Sequence, residues 1–198
     1  VLDLGCAVGR SSFELSRSFN NVIGLDYSKP FVETANRLKQ QGELDYRRRE
    51  TGRHFQTLTA KLAEGVEAQR VTFVQGDASH LRGTDLLQQQ DAFDALLLSN
   101  LLCRLSSPRD CLQQFSSSDR YVRSGGILVI ASPNTWMEEF TAADEFLDGE
   151  DSAATLNAIS KCLPGFTLLH HEDVPFMIRE HRRKYEYIVS QVSVWRKI

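Results

Sequence analysis

The sequence holds no two cysteines at C-x-x-C spacing; Cys6, Cys103, Cys111 and Cys162 are spread along the chain. Neither a metal site nor a disulfide framework is expected from them, and they read as reduced thiols of a cytoplasmic protein. An excess of positive charge is also missing, since 23 Lys and Arg face 26 Asp and Glu for a formal net charge of -3. That balance leaves no electrostatic footprint for nucleic acid. No apolar run approaches the roughly 18 residues that a membrane helix needs. There is no initiator Met either: Val1-Leu2-Asp3-Leu4-Gly5 already reads as a buried strand, so the chain is expected to begin inside a longer protein. What is present is 198 residues, 41 % of them hydrophobic, enough for one domain over 1–198 with a sizeable core.

Strands and helices alternate along most of that length. Val1–Leu4 is a strand ended by Gly5, and a helix is expected over Arg10–Phe19, with Leu15 and Phe19 four apart. Val22–Leu25 is a second strand. Ser28 is a good N-cap, Pro30 suits a first turn, and Phe31, Ala35 and Leu38 share one face of the next helix. Val71–Val74 is a third strand, and Ala95–Leu98 a fourth, apolar on both faces as a central parallel strand should be. Pro108 opens a helix running towards Val122, and Gly125-Gly126 turns into a fifth strand, Ile127–Ala131. The fold class is α/β, a mostly parallel sheet with helices on both faces. Two segments depart from this rhythm. Residues 43–70 form a polar insertion whose mixed charges read as a solvated helical surface. In the tail, Phe166–Leu169 and Tyr185–Trp195 are β-rich with no room for a crossover helix, so an antiparallel pair at the sheet edge is expected.

The strongest chemical signal is the opening Val1–Gly9. A strand feeding a small-residue turn and then a helix aims backbone N–H groups and the positive helix end at a ligand. Gly5, Ala7 and Gly9 allow close approach to the main chain. The dinucleotide fingerprint would need glycines at positions 5, 7 and 10, which are Gly5, Ala7 and Arg10, so a pyrophosphate is disfavoured. Asp26 ends the second strand, where a carboxylate can accept from both ribose hydroxyls of a nucleoside. Asp77, in Gly76-Asp77-Ala78 after the third strand, is placed for an adenine edge. Taken singly, either aspartate also fits a helix cap or a turn. Asp3 with Gly5, Asp26 and Asp77 mark three strand ends along one carboxyl edge, the ligand side of open α/β sheets.

Val1–Gly9, Leu25-Asp26 and Gly76-Asp77-Ala78 resemble the first three motifs of class I S-adenosylmethionine-dependent methyltransferases, with Ala7 in place of the commoner middle glycine. The resemblance implies a Rossmann-like sheet of strand order 3-2-1-4-5-7-6 with the seventh strand antiparallel. It implies S-adenosylmethionine as cofactor and S-adenosylhomocysteine as product. The cofactor-binding residues it points to are Asp3, Gly5, Cys6, Ala7, Gly9, Asp26, Tyr27, Asp77, Ala78 and Asn100. The segment His170–His181, followed by Arg183-Lys184-Tyr185 and closing Val194-Trp195-Arg196, resembles the C-terminal methyltransferase domains of ovothiol synthases, as does Gly5–Ser12. That resemblance implies N-methylation of the imidazole of 5-thiohistidine, a small amino-acid substrate. It also implies fusion to an upstream iron-dependent sulfoxide synthase module.

Ser99-Asn100 lies at the substrate end of this fold without the N-P-P-Y/F sequence of many amide and exocyclic-amine methyltransferases; Asn100 fits a structural hydrogen-bonder equally well. Asn134 and Trp136 follow the fifth strand as candidate pocket residues, with a core role for Trp136 as the alternative. His170, His171 and Asp173 offer a substrate-facing His–Asp pair that sets a tautomer, or plain surface histidines; without a fourth ligand they do not read as a metal site. Arg179 is the candidate clamp for a substrate carboxylate, because guanidinium pairs with it bidentately. The alternative is an ion pair with a neighbouring acid such as Glu180 or Asp173. No residue stands out as a catalytic base. Two further functional readings stay open: a class I methyltransferase with another small acceptor, and a non-catalytic nucleoside-binding module.

Overall fold

All three residues of Leu2–Leu4 (β1) are buried, because the strand lies between Val22–Asp26 (β2) and Phe93–Ser99 (β6). The computed structural model describes residues 1–116 and 119–198. Arg10–Leu15 (α1) and Lys29–Gln41 (α2) flank β2, and Glu43–Thr51 (β3) with His54–Lys61 (β4) follow. Then come Val71–Gln75 (β5), Asp85–Gln88 (α3), β6, Pro108–Ser116 (α4), Val122–Ser132 (β7) and Ser152–Cys162 (α5). Phe166–His181 (β8) and Lys184–Lys197 (β9) close the chain. One seven-stranded sheet has the order β5-β2-β1-β6-β7-β9-β8, parallel from β5 to β7, with β9 antiparallel to both of its neighbours. With the β3–β4 pair set aside, this is the strand order that the family resemblance implied.

Two apolar clusters cover the two faces of the sheet. On one, Phe13, Val32 and Ala35 pack on Val22, Val71 and Phe73, with the Phe13 and Phe73 rings edge to face at 5.2 Å. On the other, Leu112, Phe115, Leu156 and Ile159 cover Leu96, Leu98, Leu128 and Trp195. Trp195 is 1 % exposed and donates its indole N–H to Ser193 Oγ at 2.9 Å, so its polar edge is satisfied inside the core. No described helix is long and apolar enough to cross a membrane.

Several local expectations are corrected. The first helix stops at Leu15 rather than Phe19, where the Ser16 hydroxyl bonds back to the Phe13 carbonyl at 2.6 Å and competes with the ladder. Leu15 and Phe19 still pack on the core. Ser28 caps α2 as expected, accepting from the Phe31 N–H. The buried face of α2, however, is Val32 and Ala35, and Phe31 is 47 % exposed. The helix from Pro108 ends at Ser116; its expected continuation crosses 117–118, outside the described residues, and Val122 is already strand. Gly125 and Gly126 do not precede the fifth strand but lie within it. Register slips between Phe93↔Val122 and Ala95↔Ile127, and Gly125 at φ 76 takes up the bulge.

The largest correction is the insertion, which is a β-hairpin and not a helical surface. Cross-strand pairs supply the reason. Glu43 meets Lys61 at 2.7 Å, Thr59 donates to Asp45 at 2.6 Å, and the Arg47 guanidinium lies 4.4 Å from the centre of the Phe55 ring. Such opposed charge, hydroxyl and aromatic pairs stabilise a two-stranded ribbon, and Gly52 at φ 49 makes its turn.

Candidate active site

The carboxyl ends of β1, β2 and β5 converge on one cleft of about 450 Å³, lined by Gly5, Leu25, Asp26, Tyr27, Asp77, Ala78, Leu101, Arg104 and Phe140 among others. Its floor is the turn after β1. The N–H groups of Gly5 and Cys6 both donate to the Leu25 carbonyl, at 2.8 and 3.0 Å, and Gly9 donates to the Cys6 carbonyl at 2.8 Å. Gly5 (φ 75), Ala7 (φ 47) and Gly9 (φ 91) are all left-handed. For Ala7 that conformation is costly, and Asp26 stabilises it: its Oδ2 accepts from the Ala7 N–H at 2.8 Å, while Oδ1 accepts from the Ser28 N–H at 2.8 Å. Each oxygen of a carboxylate has two lone pairs. Asp26 therefore orders the turn and keeps capacity for two further donors facing the cleft.

Asp3 lies beneath the turn, 1 % exposed, and accepts from Ser12 Oγ at 2.6 Å. Burial pushes its carboxyl up to about 6; the Ser12 bond opposes the rise and the nearby Asp26 charge adds to it. A carboxyl with a folded pKa above its unfolded one binds more protons in the fold, so stability falls as pH rises between those values. At 1.36 kcal/mol per pKa unit, the rise from 3.8 to about 6 costs roughly 3 kcal/mol above pH 6, and about half returns by pH 5. Thermal unfolding of the wild type alongside Asp3→Asn should show this as a Tm difference that shrinks on acidification. A gap between the two proteins that is the same at pH 7.5 and pH 5 would count against an ionised, buried Asp3.

The other sequence candidates fall into three groups. Asp77 accepts from the Ser79 N–H at 2.8 Å and sits 3.3 Å from His80 Nδ1, while Ala78 is buried; both line the cleft. Tyr27 also lines it and is 76 % exposed, whereas Cys6 is buried below the turn with its thiol pushed up first by burial and then by Asp3 and Asp26. Asn100 (φ 54) and Asn134 (φ 53) are strained non-glycine residues at the ends of β6 and β7. Both side chains are held by β9: Asn100 Oδ1 accepts from Ser190 Oγ at 2.9 Å, and Asn134 Nδ2 reaches Gln191 Oε1 at 3.5 Å. Trp136 is partly buried, packs on the core and stacks on Phe146 at 5.4 Å.

The tail candidates do not gather at the cleft. His170, His171 and Asp173 lie on β8, opposite Val194, Ser193 and Gln191, at the outer edge of the sheet and exposed. His170 lies 3.7 Å from Glu172, and neither it nor His171 forms the expected pair with Asp173. Among the described residues no three His, Cys, Asp or Glu side chains cluster where a metal ion could sit. Arg179 meets an acid that local reading did not supply: its Nη2 lies 3.2 Å from Glu50 Oε2, 129 residues away in β3, and neither Asp173 nor Glu180 is that partner.

Two arms account for that contact. β9 enters the sheet at Gln191, opposite Ser132, so Lys184–Ser190 and their β8 partners extend past the carboxyl edge by about 23 Å at the usual rise per residue. The β3–β4 arm is rooted on the other side, where β3 packs against α2. Arg182 also donates its backbone N–H to the Glu50 carbonyl at 3.3 Å. The two arms, one continuing β8 and β9 beyond the sheet and the other following α2, therefore meet at their tips.

The residues missed by local reading are those supplied from a distance: Ser12 under Asp3, Leu101 and Phe140 in the cleft wall, Ser190 and Gln191 behind the two asparagines. Each reaches its partner only through the folded topology.

The model of a methyltransferase domain family matches residues 2–130, which takes in β1 to β6, most of β7 and the turn that floors the cleft. The chain belongs to that family. This methyltransferase uses S-adenosylmethionine, the cofactor named for several proteins that share its fold. A SAM-dependent methyltransferase from Methanosarcina mazei is similar at TM-score 0.64 and 16 % identity, covering 100 % of this chain and 91 % of that one. Magnesium protoporphyrin IX methyltransferase from Synechocystis, solved with bound SAH, is similar at TM-score 0.55 and 16 % identity, covering 100 % and 73 %. The [4+2]-cyclase SpnF is similar as well, at TM-score 0.60 and 17 % identity over 99 % and 73 %, so likeness of fold does not fix the reaction. No curated protein matches the sequence. A Cβ on Gly5 would come within 2.9 Å of Leu101 Cδ1, so this position of the turn has no room for a side chain unless Leu101 moves.

Proposed function

We propose that this methyltransferase transfers the methyl group of S-adenosylmethionine to a ring nitrogen of 5-thiohistidine, the N-methylation step of ovothiol biosynthesis. One observation carries the reading. The residues that resemble ovothiol synthase, His170–His181 with Arg183-Lys184-Tyr185 and Val194-Trp195-Arg196, lie on β8, β9 and the turn between them, whose outer part projects beyond the carboxyl edge. In this reading the cleft takes the cofactor, with Asp26 accepting from the ribose hydroxyls, Asp77 and Ala78 at the adenine edge, and Gly5 to Gly9 passing the methionine moiety. The cofactor supplies an electrophilic methyl on a sulfonium. The protein holds the neutral imidazole in line with it, and positioning of this kind is worth several orders of magnitude in rate. The N–C bond forms as the C–S bond breaks, the electron pair stays on sulfur, and the ring releases one proton to water. The substrate in this proposal comes from an upstream iron-dependent sulfoxide synthase module of the same protein.

Incubating the protein with 5-thiohistidine and S-adenosylmethionine should yield singly methylated product and S-adenosylhomocysteine in equal amounts, read by mass spectrometry. Turnover with other small acceptors but none with 5-thiohistidine would overturn the assignment. Tight cofactor binding without turnover of any acceptor would favour a non-catalytic module.

A further inference from the structure

We infer that Phe140, set in place by Arg104, is the wall against which the adenosine part of S-adenosylmethionine packs. This adds two residues to the cofactor site beyond the strand-end acids and the glycine turn, and it holds whatever the acceptor is.

The cleft is closed from both halves of the sheet. Asp26 and Asp77 come from the ends of β2 and β5, while Leu101, Arg104 and Leu105 follow β6 and Phe140 follows β7. A ring lining the same cavity as both acids faces a nucleoside laid between them. Phe140 is 41 % exposed, so the fold leaves much of this aromatic side chain uncovered beside the cleft. A purine packed on it removes apolar surface from water, and offset stacking of the two rings adds to that gain.

The ring is fastened from two sides. The Phe140 and Thr141 N–H groups both donate to the Met137 carbonyl, at 3.0 and 3.1 Å, which makes a tight turn. Thr141 is fully buried, and its hydroxyl donates to the Leu105 carbonyl at 2.5 Å, tying that turn to the segment after β6. From the same segment, Arg104 Nη1 donates to the Cys103 and Thr135 carbonyls, both at 2.9 Å, and Nη2 to Thr135 Oγ1 at 3.3 Å. Its guanidinium carbon then lies 5.1 Å from the centre of the Phe140 ring, within cation–π range. These carbonyl and hydroxyl partners orient the guanidinium without neutralising it. A fixed positive charge beside the ring disfavours the sulfonium there and suits the neutral nucleoside.

Calorimetric titration of the full chain tests the wall with two probes, S-adenosylhomocysteine and 5′-methylthioadenosine, which lacks the amino-acid part. Phe140→Ala should raise the Kd of both about tenfold, as expected for one lost base–aromatic stack. Phe140→Tyr keeps the ring and should stay within twofold of wild type. Arg104→Ala should raise both constants about fivefold, yet by less than twofold once Phe140 is already alanine, because Arg104 acts through the ring. Met137→Ala, in the same turn but outside the cleft lining, should leave both within twofold and so separate a lost contact from a loosened turn. Unchanged affinity of Phe140→Ala for both probes would overturn the wall. A loss seen with S-adenosylhomocysteine alone would move the ring to the methionine end and overturn the adenosine assignment. Failure of wild type to bind 5′-methylthioadenosine at millimolar concentration would do the same, since a built adenosine wall gives the nucleoside affinity of its own. Additive losses from Arg104→Ala and Phe140→Ala would overturn the positioning role of Arg104.

Discussion

Gly5→Val is expected to abolish measurable binding of S-adenosylmethionine while the protein remains folded. Gly5 sits at φ 75, where a β-branched residue is strongly disfavoured. The new Cβ would lie 2.9 Å from Leu101 Cδ1 and 3.4 Å from Leu101 Cβ and Cδ2. The backbone cannot yield, because the Gly5 and Cys6 N–H groups are both tied to the Leu25 carbonyl. Leu101 must yield instead, and it forms part of the cleft wall, so the clash is relieved by filling the space of the ligand. Left-handed strain of about 1–2 kcal/mol is small beside total stability, so the circular dichroism should stay close to wild type. Isothermal titration with S-adenosylmethionine checks the outcome, and Gly5→Ala should fall between the two. A Gly5→Val protein that binds with wild-type affinity would show that the turn does not approach the cofactor.

Asp26→Ala should weaken cofactor binding by roughly 1.5–3 kcal/mol, the range for hydrogen bonds to a charged group, which is about 10- to 150-fold in Kd. The structure moves the expectation to the upper end of that range. Besides any bond to ribose, Asp26 accepts from the Ala7 and Ser28 N–H groups, so its loss relaxes a left-handed alanine and loosens the start of α2. Asp26→Asn should do little better, since one side-chain oxygen cannot serve both N–H groups and the amide would set a donor against one of them. Retention of near-wild-type affinity by Asp26→Asn would remove the two-sided role argued for the carboxylate.

The two variants concern residues that were legible in the chain itself, and the reason is local. A buried strand, a turn of small residues and a helix lie consecutively within Val1–Leu15, so backbone geometry follows from neighbours a few positions apart. Asp26 and Asp77 directly end or follow short apolar runs, and the alternation of strands and helices places both on the same sheet edge. Ser28 announces its helix because capping is a contact across three residues.

The insertion was not legible in this way. Residues 43–61 carry neither a helical apolar stripe nor a clean strand alternation, since most of both strands faces water. Their pairing is decided by which side chains oppose each other across the turn at Gly52, a register no single-strand pattern contains. The tail is intermediate: its antiparallel pairing followed from composition, while its reach past the sheet depended on where β9 docks against β7.

By itself, then, the sequence determined the fold class, the cofactor-side turn and the acids that end the strands, because each depends on contacts a few residues apart. Only the tertiary structure decided that Ser190 and Gln191 hold Asn100 and Asn134, and that Arg179 faces Glu50 rather than a neighbour on its own hairpin. Those partners are 90, 57 and 129 residues apart. Contacts at such separations impose no period or spacing on the chain; they exist only after the sheet has brought its two edges and the arms rooted beside them into one frame.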